Sequence, residues 1–320
     1  MSSSIRLILN GKSAEQPRLR KMVNRLRKQG IGVDVRVTWE GADIEDFIHQ
    51  ASANGVERVI VGGGDGTIHG AANALMKLPA EYRPSLGIIP LGTANDFARA
   101  AGIPMHPTEA FAFAVREEAQ SIDLGKVGDT WFVNVVSGGF GASVTASTPP
   151  LLKRMLGGGA YSLVGAARIL SFTPFVGKIR MPDLEDDVQM VVVAIGNGRQ
   201  AGGSQELTPK AYIDDGLLDV LVINSFRLRD VPRLLRQLEH LGPDNDLVRY
   251  FRVPWVEIES ETPLPVTLDG EMREIKQARF DVVPKSIEVV LPASNKMLEH
   301  PAPLPEGEEP EEDDNDRVQL

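Results

Sequence analysis

Short apolar runs alternate with segments of helical spacing over roughly the first 125 residues of this 320-residue chain. Four of the apolar runs predict strands, at residues 5–10, 33–39, 56–61 and 86–90. Between the first two, residues 19–26 place apolar side chains at the spacing of one helix face. Because strands that alternate with helices usually pair in parallel, the pattern predicts an N-terminal α/β domain built on a parallel sheet.

The pattern changes after residue 124, where alternating runs rich in β-branched residues dominate and predict mostly antiparallel β structure. The predicted strands of this half lie at residues 188–195, 217–223, 253–258 and 286–291. Two helices are predicted within it, at residues 151–175 and 228–241. Residues past about 297 are rich in proline and glutamate and predict a disordered tail.

The net charge of −10 is concentrated at the C-terminus. Residues 301–320 hold eight carboxylates and one arginine, so residues 1–300 carry only about −3. A nucleic-acid partner is therefore not expected. The chain has no cysteine, which excludes a disulfide framework and a cysteine nucleophile and fits a reducing compartment. No apolar run approaches the length of a membrane span, and we expect a cytoplasmic protein.

A glycine-rich turn at residues 62–66 directly follows the apolar residues 59–61 and precedes an alanine-rich helical segment. Glycines let backbone N–H groups approach phosphate oxygens, and a helix N-terminus favours an anion, so a phosphate-binding loop is predicted. Asp65 within the loop would repel phosphates unless a divalent cation bridges them or the carboxylate serves a hydroxyl. Its presence therefore indicates metal-assisted phosphoryl chemistry rather than anion binding alone. The alternative is a tight glycine turn in which Asp65 caps the helix.

A second loop, at residues 91–95, follows the next predicted strand. Gly92 and Thr93 offer backbone and hydroxyl donors, and Asn95 or Asp96 is placed to cap the helix that follows. Ligands bind at the carboxyl ends of parallel strands, so the two loops are predicted to face each other across one nucleotide pocket. An ordinary capped turn is the alternative for this second loop.

Three motifs bear a resemblance to a known family. They are Gly-Gly-Gly-Asp-Gly-Thr at 62–67, Pro-Leu-Gly-Thr-Ala-Asn-Asp-Phe-Ala at 90–98 and Leu-Asp-Gly-Glu at 268–271. Their order and spacing resemble those of the diacylglycerol kinase catalytic family, specifically its bacterial YegS-like lipid kinases. The resemblance implies a nucleotide-binding α/β domain like that of phosphofructokinase and NAD kinase, a C-terminal β-sandwich domain, and transfer of the γ-phosphate of ATP to a lipid hydroxyl.

The domain bounds that this resemblance implies are 1–128 for the nucleotide-binding domain and 129–296 for the β-sandwich that receives the lipid. A return of the last strands to the first domain is left open. Residues 297–320 would form the acidic tail. Within the second domain, residues 149–175 mix apolar and basic side chains and either touch a bilayer transiently to admit lipid or form a packing helix.

The resemblance also assigns residues to the site. Those implied to bind ATP are Thr38, Gly64, Asp65, Gly66, Thr67, Ile68, His69, Gly70 and Thr93. Glu271 matches the residue proposed in the family as the proton acceptor, and Asp269 is the rival base. From the residues alone, Asp269-Gly270 between two β runs predicts a type I′ hairpin turn, which is compatible with either role.

A magnesium site is also implied, with the Asp215 carboxylate and the backbone oxygens of Tyr212 and Leu217 as ligands. Oxygen ligands suit a hard cation, Mg²⁺ or alternatively Ca²⁺, and such a site would stabilise its loop rather than react. One departure stands out, because His69-Gly70 occupies the place where the family usually has Asn-Glu. His69 would then donate to phosphate, or would lie at the helix start or face solvent without a role.

Two other functions remain open. An NAD kinase-like phosphotransferase shares the glycine motif, although the motif at 90–98 favours the lipid kinases. A catalytically silent nucleotide-binding module is the other, supported by the missing Asn-Glu pair. The turn at 196–203 has a dinucleotide-like glycine spacing, but no helix sequence follows, and we expect it to line the cleft instead.

Overall fold

The structure is a computed structural model and describes residues 4–139, 173–203 and 205–299. The helices are α1 Pro17–Lys28, α2 Asp43–Ala53, α3 Asp65–Met76, α4 Asp96–Ala100, α5 Pro107–Arg116 and α6 Val231–Glu239, with 3₁₀ turns at Gly11–Ser13, Ala80–Tyr82 and Leu228–Asp230. The first eight strands are β1 Ser4–Asn10, β2 Gly32–Thr38, β3 Arg58–Gly63, β4 Ser85–Pro90, β5 Ala119–Val127, β6 Thr130–Phe132, β7 Val135–Gly139 and β8 Phe175–Met181. The others are β9 Leu184–Gly196, β10 Gln200–Ala201, β11 Gln205–Glu206, β12 Leu218–Asn224, β13 Val248–Val253, β14 Trp255–Leu268 and β15 Glu271–Val290.

The N-terminal half is the predicted α/β domain. Strands β2, β1, β3 and β4 pair in parallel in that order. Side chains of β1 alternate between two apolar cores, as the period of a strand requires. Leu7 packs in the core that α1 and α5 cover, whereas its neighbour Ile8 packs in the core under α2 and α3. The alternation of strand and helix periods in the sequence therefore predicted the architecture of this half correctly.

The C-terminal half pairs antiparallel, as predicted, through β7, β8, β9, β12, β13 and β14. Its main core includes Phe132 and Phe280, whose rings meet edge to face at 6.5 Å. A second apolar cluster lies on the other face of β9 and β12, where Leu234 of α6 packs with Val191 and Leu221. Apolar packing on both faces explains why residues 190–196 of β9 are all buried.

Strand β15 is 20 residues long and belongs to both halves. Its first part pairs with β14, and its last part pairs antiparallel with β5 and in parallel with β4 through Val289 and Leu86. The register of its pairing with β5 shifts between Val283 and Ile287, where Lys285 has a φ of 49°. Hydrogen bonds thus join 13 strands of the described residues into one sheet.

Two predicted elements of this half differ in the structure. The predicted strand at 253–258 divides at Pro254, which has no N–H to donate to a sheet and instead accepts a hydrogen bond from Val282 N at 3.0 Å. The predicted helix at 228–241 is a 3₁₀ turn followed by the shorter α6. Both differences arise where proline interrupts or starts an element.

Other predictions fall partly or wholly outside the described residues. Of the predicted helix at 151–175 only 173–175 are described, and Phe175 begins β8. Residues 149–172 of the segment expected to contact a bilayer, 149–175, likewise lie outside the described residues. At the predicted start of the tail, Met297 and Leu298 are buried and Met297 O accepts a hydrogen bond from Ile213 N at 2.8 Å. Residues 300–320 of the predicted tail lie outside the described residues. No helix within the described ranges has both the length and the apolarity to cross a bilayer.

Candidate active site

The two glycine loops contact each other at the carboxyl ends of β3 and β4. Leu91 N donates to Gly63 O at 2.8 Å, and a Cβ on Gly92 would overlap the Cα atom of Gly64. Glycine is therefore required where the two loops cross. The structure places the loops face to face, as the positions of the strands in a parallel sheet predict.

The threonines predicted to lie near the nucleotide differ in exposure. Thr67 is buried, and its Oγ1 accepts a hydrogen bond from Asn10 Nδ2 at 3.3 Å, which ties the end of β1 to the first loop. Thr38 is also buried, and its Oγ1 accepts from Gly11 N at 3.3 Å. Thr93, by contrast, is exposed on the second loop. The hydroxyl of Thr93 is thus the most accessible of the three.

Asp65 interacts with the neighbouring helix rather than capping its own. Its Oδ1 accepts from Phe97 N at 3.2 Å, at the first turn of α4. Burial raises the pKa of Asp65, and the hydrogen bond from Phe97 opposes that rise. Asn95 does not cap α4 either: it has a φ of 53°, and its side chain bonds Gly92 N and Gly92 O, both at 2.9 Å. Asn95 therefore closes the second loop on itself.

The predicted hairpin turn joins β14 to β15. Asp269 and Gly270 have φ values of 47° and 95°, the two positive values that a type I′ turn requires, and Leu268 pairs with Glu271 across it. The Asp269 carboxylate accepts backbone N–H bonds from three consecutive residues at 2.8, 3.0 and 3.2 Å, namely Val133, Asn134 and Val135. The Asp269 side chain is 4% exposed, whereas that of Glu271 is 54% exposed.

His69 connects this hairpin to helix α3. Its Nδ1 lies 3.1 Å from Asp269 Oδ2, and its Nε2 lies 3.8 Å from Glu271 Oε2. The ring is buried, so the expectation that His69 faces solvent is wrong. The Asp269 carboxylate provides a hydrogen-bond partner for the buried imidazole, as buried polar groups require. One hydrogen bond thus joins residues 200 positions apart across the two halves.

A pocket of about 180 Å³ lies between these groups. The N-terminal half contributes Asp65, Ile68 and Phe97 to its wall, and the C-terminal half contributes Val133 and Asp269. Residues of the turn predicted to line the cleft also face it: Gln200, Ala201 and Gly202. The pocket therefore combines apolar walls with carboxylates from both halves of the chain.

Comparisons with known proteins identify the family. A family model described as "Diacylglycerol kinase catalytic domain" matches residues 4–127, and one described as "YegS C-terminal NAD kinase beta sandwich-like domain" matches residues 134–291. The chain belongs to the YegS-like lipid kinases. The predicted family, the fold class and the assignment as a kinase are confirmed.

Individual relatives agree with this family. The chain is 48% identical over 295 residues to a "Probable lipid kinase YegS-like" from Chromohalobacter salexigens, covering 92% of this chain and 95% of that protein. It is 44% identical over 295 residues to a protein of the same name from Shewanella frigidimarina, covering 92% and 96%. The fold is similar to that of a putative diacylglycerol kinase from Bacillus anthracis, with a TM-score of 0.70 and 24% identity, covering 91% of this chain and 95% of that one.

Three asparagines, of which Asn197 is buried and Asn10 and Asn73 are partly buried, support the site, and sequence reasoning did not single them out. Asn10 holds Thr67, as described above. The Asn73 amide donates to Trp131 O at 2.8 Å and accepts from Trp131 N at 3.0 Å. Asn197 is fully buried and donates to Asp123 O and Val133 O at 3.0 and 2.9 Å. One feature of the sequence could have identified them. Each asparagine interrupts an apolar or glycine-rich run, and an amide in such a place usually bonds to backbone groups elsewhere in the chain.

The magnesium site implied by the YegS-like family lies outside the pocket, since Tyr212, Asp215 and Leu217 are not among the residues of its wall. The Asp215 carboxylate has suitable oxygen donors, but it accepts from Leu217 N at 3.0 Å and is paired with the Arg252 guanidinium. A cation bound there would compete with that arginine for the carboxylate. Within the described part of the chain, no three His, Asp or Glu side chains converge as a metal site.

Asp215 forms an aspartate cluster with Asp123 and Asp219. Asp123 accepts from Gly216 N and from Lys285 N, both at 2.7 Å. Asp219 is completely buried and accepts from the Tyr250 hydroxyl at 2.6 Å, and its other oxygen has no hydrogen-bond partner. Burial raises the pKa of Asp219 to about 6 and also raises the pKa values of Asp123 and Asp215.

Proposed function

We propose that the chain transfers the γ-phosphoryl group of ATP to a lipid hydroxyl in the pocket between its two halves. The observation that supports this most directly is the shared wall, in which Asp65 and Ile68 of the glycine-loop half meet Asp269 and Gly270 of the hairpin. Donor and acceptor must be held in contact, because catalysis of phosphoryl transfer depends mainly on positioning and charge neutralisation.

The triphosphate would lie on the first glycine loop and the start of α3. Gly66 is exposed and a Cβ there would meet open space, so phosphate can approach its backbone. The other residues proposed to bind ATP differ in what they offer. Thr93 offers an exposed hydroxyl, whereas Thr67, Ile68 and His69 are buried and would contribute backbone groups. Gly64, Gly70 and Thr38 would complete the binding surface.

A divalent cation, Mg²⁺ or alternatively Ca²⁺, would neutralise charge on the donor phosphates, and Asp65 is the carboxylate proposed to orient it. Burial raises the pKa of Asp65, and a nearby cation would offset the cost of holding that charge away from water. The Asp215 turn takes no part in the proposed reaction. A magnesium ion held by Tyr212, Asp215 and Leu217 remains a prediction about the stability of that turn.

Glu271 is the better placed of the two proposed bases. Asp269 already accepts three backbone N–H bonds and the bond from His69, so its oxygens are occupied. Glu271 is half exposed, and its carboxylate can turn toward an acceptor hydroxyl at the edge of the pocket. We therefore propose that Glu271 removes the proton as the hydroxyl attacks.

The lining of the pocket favours a lipid acceptor over NAD. Ile68, Phe97, Val133 and Val135 form apolar walls that suit an aliphatic chain, whereas a charged dinucleotide would lose hydration against them. A lipid substrate requires transient contact with a membrane surface. We place the reaction in the cytoplasm, where ATP is available.

The proposal is tested with γ-labelled ATP and three acceptor mixtures: bacterial lipid extract, NAD, and buffer alone. We expect label in the lipid fraction, resolved by mass spectrometry, and none in the NAD mixture. Label on NAD would overturn the proposal in favour of an NAD kinase. Binding of ATP without transfer to any lipid would overturn it in favour of a silent nucleotide-binding module.

A further inference from the structure

The imidazole of His69 lies between two carboxylates of the opposite half. Asp269 Oδ2 is 3.1 Å from Nδ1, and Glu271 Oε2 is 3.8 Å from Nε2. The side chains of His69 and Asp269 are 7% and 4% exposed, so this end of the arrangement is closed to water. Glu271 is half exposed and directly follows Gly270, which lines the pocket.

The hydrogen bonds around His69 fix its tautomer. The Asp269 carboxylate already accepts three backbone N–H bonds and has no hydrogen to give, so His69 Nδ1 carries the hydrogen between them. Asn73 Nδ2 lies 3.4 Å from Nε2, but its two hydrogens point to His69 O at 2.9 Å and Trp131 O at 2.8 Å. The Nε2 lone pair is therefore available on the side that faces Glu271.

We propose that His69 is a positioning residue that receives the acceptor proton from Glu271. This inference rests on the proposed lipid kinase function. The acceptor O–H bond breaks, its oxygen bonds the γ-phosphorus of ATP, and the bond from that phosphorus to ADP breaks with its electron pair on ADP. The proton passes to Glu271 Oε2 and then to His69 Nε2, which restores the Glu271 carboxylate. After the products leave, the imidazolium returns the proton to water.

The charged groups around the ring come from several elements packed against it. Among the described residues, Asp269 faces it from the turn and Glu271 from β15, where Arg273 lies 3.7 Å from Glu271. Asp65 lies one turn earlier on α3, with Oδ1 directed at Phe97 N. Helix α2 packs against α3 farther along, where its His49 contacts the Ala74 carbonyl and Glu45 pairs with Lys77. Carboxylates thus flank both ring nitrogens.

The test compares His69→Asn with His49→Asn in the intact protein. The asparagine amide can replace Nδ1 as the donor to Asp269, but it offers no group at the position of Nε2. We expect kcat for lipid phosphorylation to fall about tenfold in His69→Asn, with KM for ATP within about twofold of wild type. His49 is also a partly buried helix histidine, but it lies away from the pocket, so His49→Asn should keep the wild-type kcat.

The pH profile distinguishes proton transfer from a structural role. Wild-type kcat should rise with pH, because the proposed proton step needs a free lone pair on Nε2, and His69→Asn should lose that rise. Wild-type kcat and an unchanged profile in His69→Asn would overturn the proton step while leaving the kinase function intact. If His69→Asn does not fold, His69→Gln serves as the second variant. We expect the same decrease in kcat and the same loss of its rise with pH.

A measurement without substrates tests the arrangement independently. Nitrogen NMR of the histidine-labelled wild-type protein should show the resting tautomer of His69 with hydrogen on Nδ1 and none on Nε2. A resting tautomer with hydrogen on Nε2 alone would overturn the proposal even in an active enzyme. Failure of the wild-type protein to phosphorylate any lipid would overturn the proposed function, and the proton step with it, whatever the tautomer.

Discussion

Two groups of acidic side chains in this chain are balanced differently. The pocket carboxylates are Asp65 and Asp269, which line the pocket, and the half-exposed Glu271 next to Gly270 of its wall, whereas the aspartate cluster lies around the buried Asp219. Asp269 receives three backbone N–H bonds and one from His69. Asp219 receives one bond from Tyr250, and its second oxygen has only the Arg252 guanidinium, 3.6 Å away.

The difference lies in the number of hydrogen-bond donors that each buried carboxylate receives. Three N–H donors from one stretch of backbone hold Asp269 in a fixed place, where it can orient His69. With fewer donors, burial raises the pKa of Asp219 to about 6, so its charge depends on pH near neutrality. The pocket carboxylates should therefore affect turnover or local order, and the aspartate cluster should affect the pH dependence of stability.

The largest effect is expected for Asp65→Asn. The amide oxygen can still accept from Phe97 N, so the fold should remain, but the charge proposed to orient the cation and phosphates is lost. We expect kcat for lipid phosphorylation to fall about 1000-fold. The assay with labelled ATP measures this loss, and a melting curve serves as the control. Wild-type turnover in the variant would remove Asp65 from the proposed mechanism.

Glu271→Gln should have the next largest effect. The side chain is half exposed, so the amide should fit without a change in melting temperature, while the proposed base is lost. We expect kcat to fall about 100-fold with little change in KM for ATP. Glu274→Gln on the same strand is the matched control and should keep the wild-type rate. Equal rates in the two variants would contradict the assignment of Glu271 as base.

The aspartate cluster predicts a pH dependence of stability. The pKa of Asp219 is raised from its ordinary value near 4 to about 6 in the folded state, so the folded protein binds the proton more tightly than the unfolded chain. Proton binding by Asp219 therefore stabilises the folded protein fully below pH about 4, and this contribution is lost as the pH rises through about 6. The shift in pKa corresponds to about 3 kcal/mol of unfolding free energy.

Asp219→Asn isolates this contribution, since other carboxylates titrate in the same range. The unfolding free energy of wild type minus that of the variant should decrease between pH about 4 and 6.5. Urea unfolding at several pH values measures the difference. A difference that stays constant across this range would contradict the assignment of the raised pKa to Asp219.

Asp269→Asn should have the smallest effect of the substitutions considered. An amide NH₂ cannot accept the backbone N–H groups that point at the carboxylate, so we expect the unfolding free energy to fall by about 2 kcal/mol. Urea unfolding at pH 7 measures it. Asp281→Asn, at a half-exposed aspartate farther along β15, is the control and should change it by less than about 0.5 kcal/mol. Equal losses would mean that the N–H bonds to Asp269 contribute no stability.

The sequence allowed good predictions where the physical cause is local. Glycines at 62–66 and 92 signal a close approach of backbone, and the alternation of strand and helix periods indicates a parallel sheet, so the two facing loops followed. The role of His69 was not predictable in this way. Its orientation depends on Asp269, 200 positions away, which itself depends on N–H groups at the start of β7.

Long-range pairing also explains the other differences. Nothing local to residues 286–291 shows that this segment is the end of a 20-residue strand shared by both halves. Likewise, the choice between Asp269 and Glu271 could not be made from the Leu-Asp-Gly-Glu motif, because exposure and occupied lone pairs are properties of the assembled site. Resemblance to a family gave the candidate residues, and tertiary contacts distinguish among them.

Strand β15 has a mechanical consequence. Because its backbone is hydrogen-bonded to β14 at one end and to β4 and β5 at the other, pulling the halves apart would break a continuous ladder. A wide separation of the two halves is therefore disfavoured, and the ladder is irregular only at 283–287 along its pairing with β5. An acceptor lipid would accordingly have to reach the pocket without the two halves coming apart.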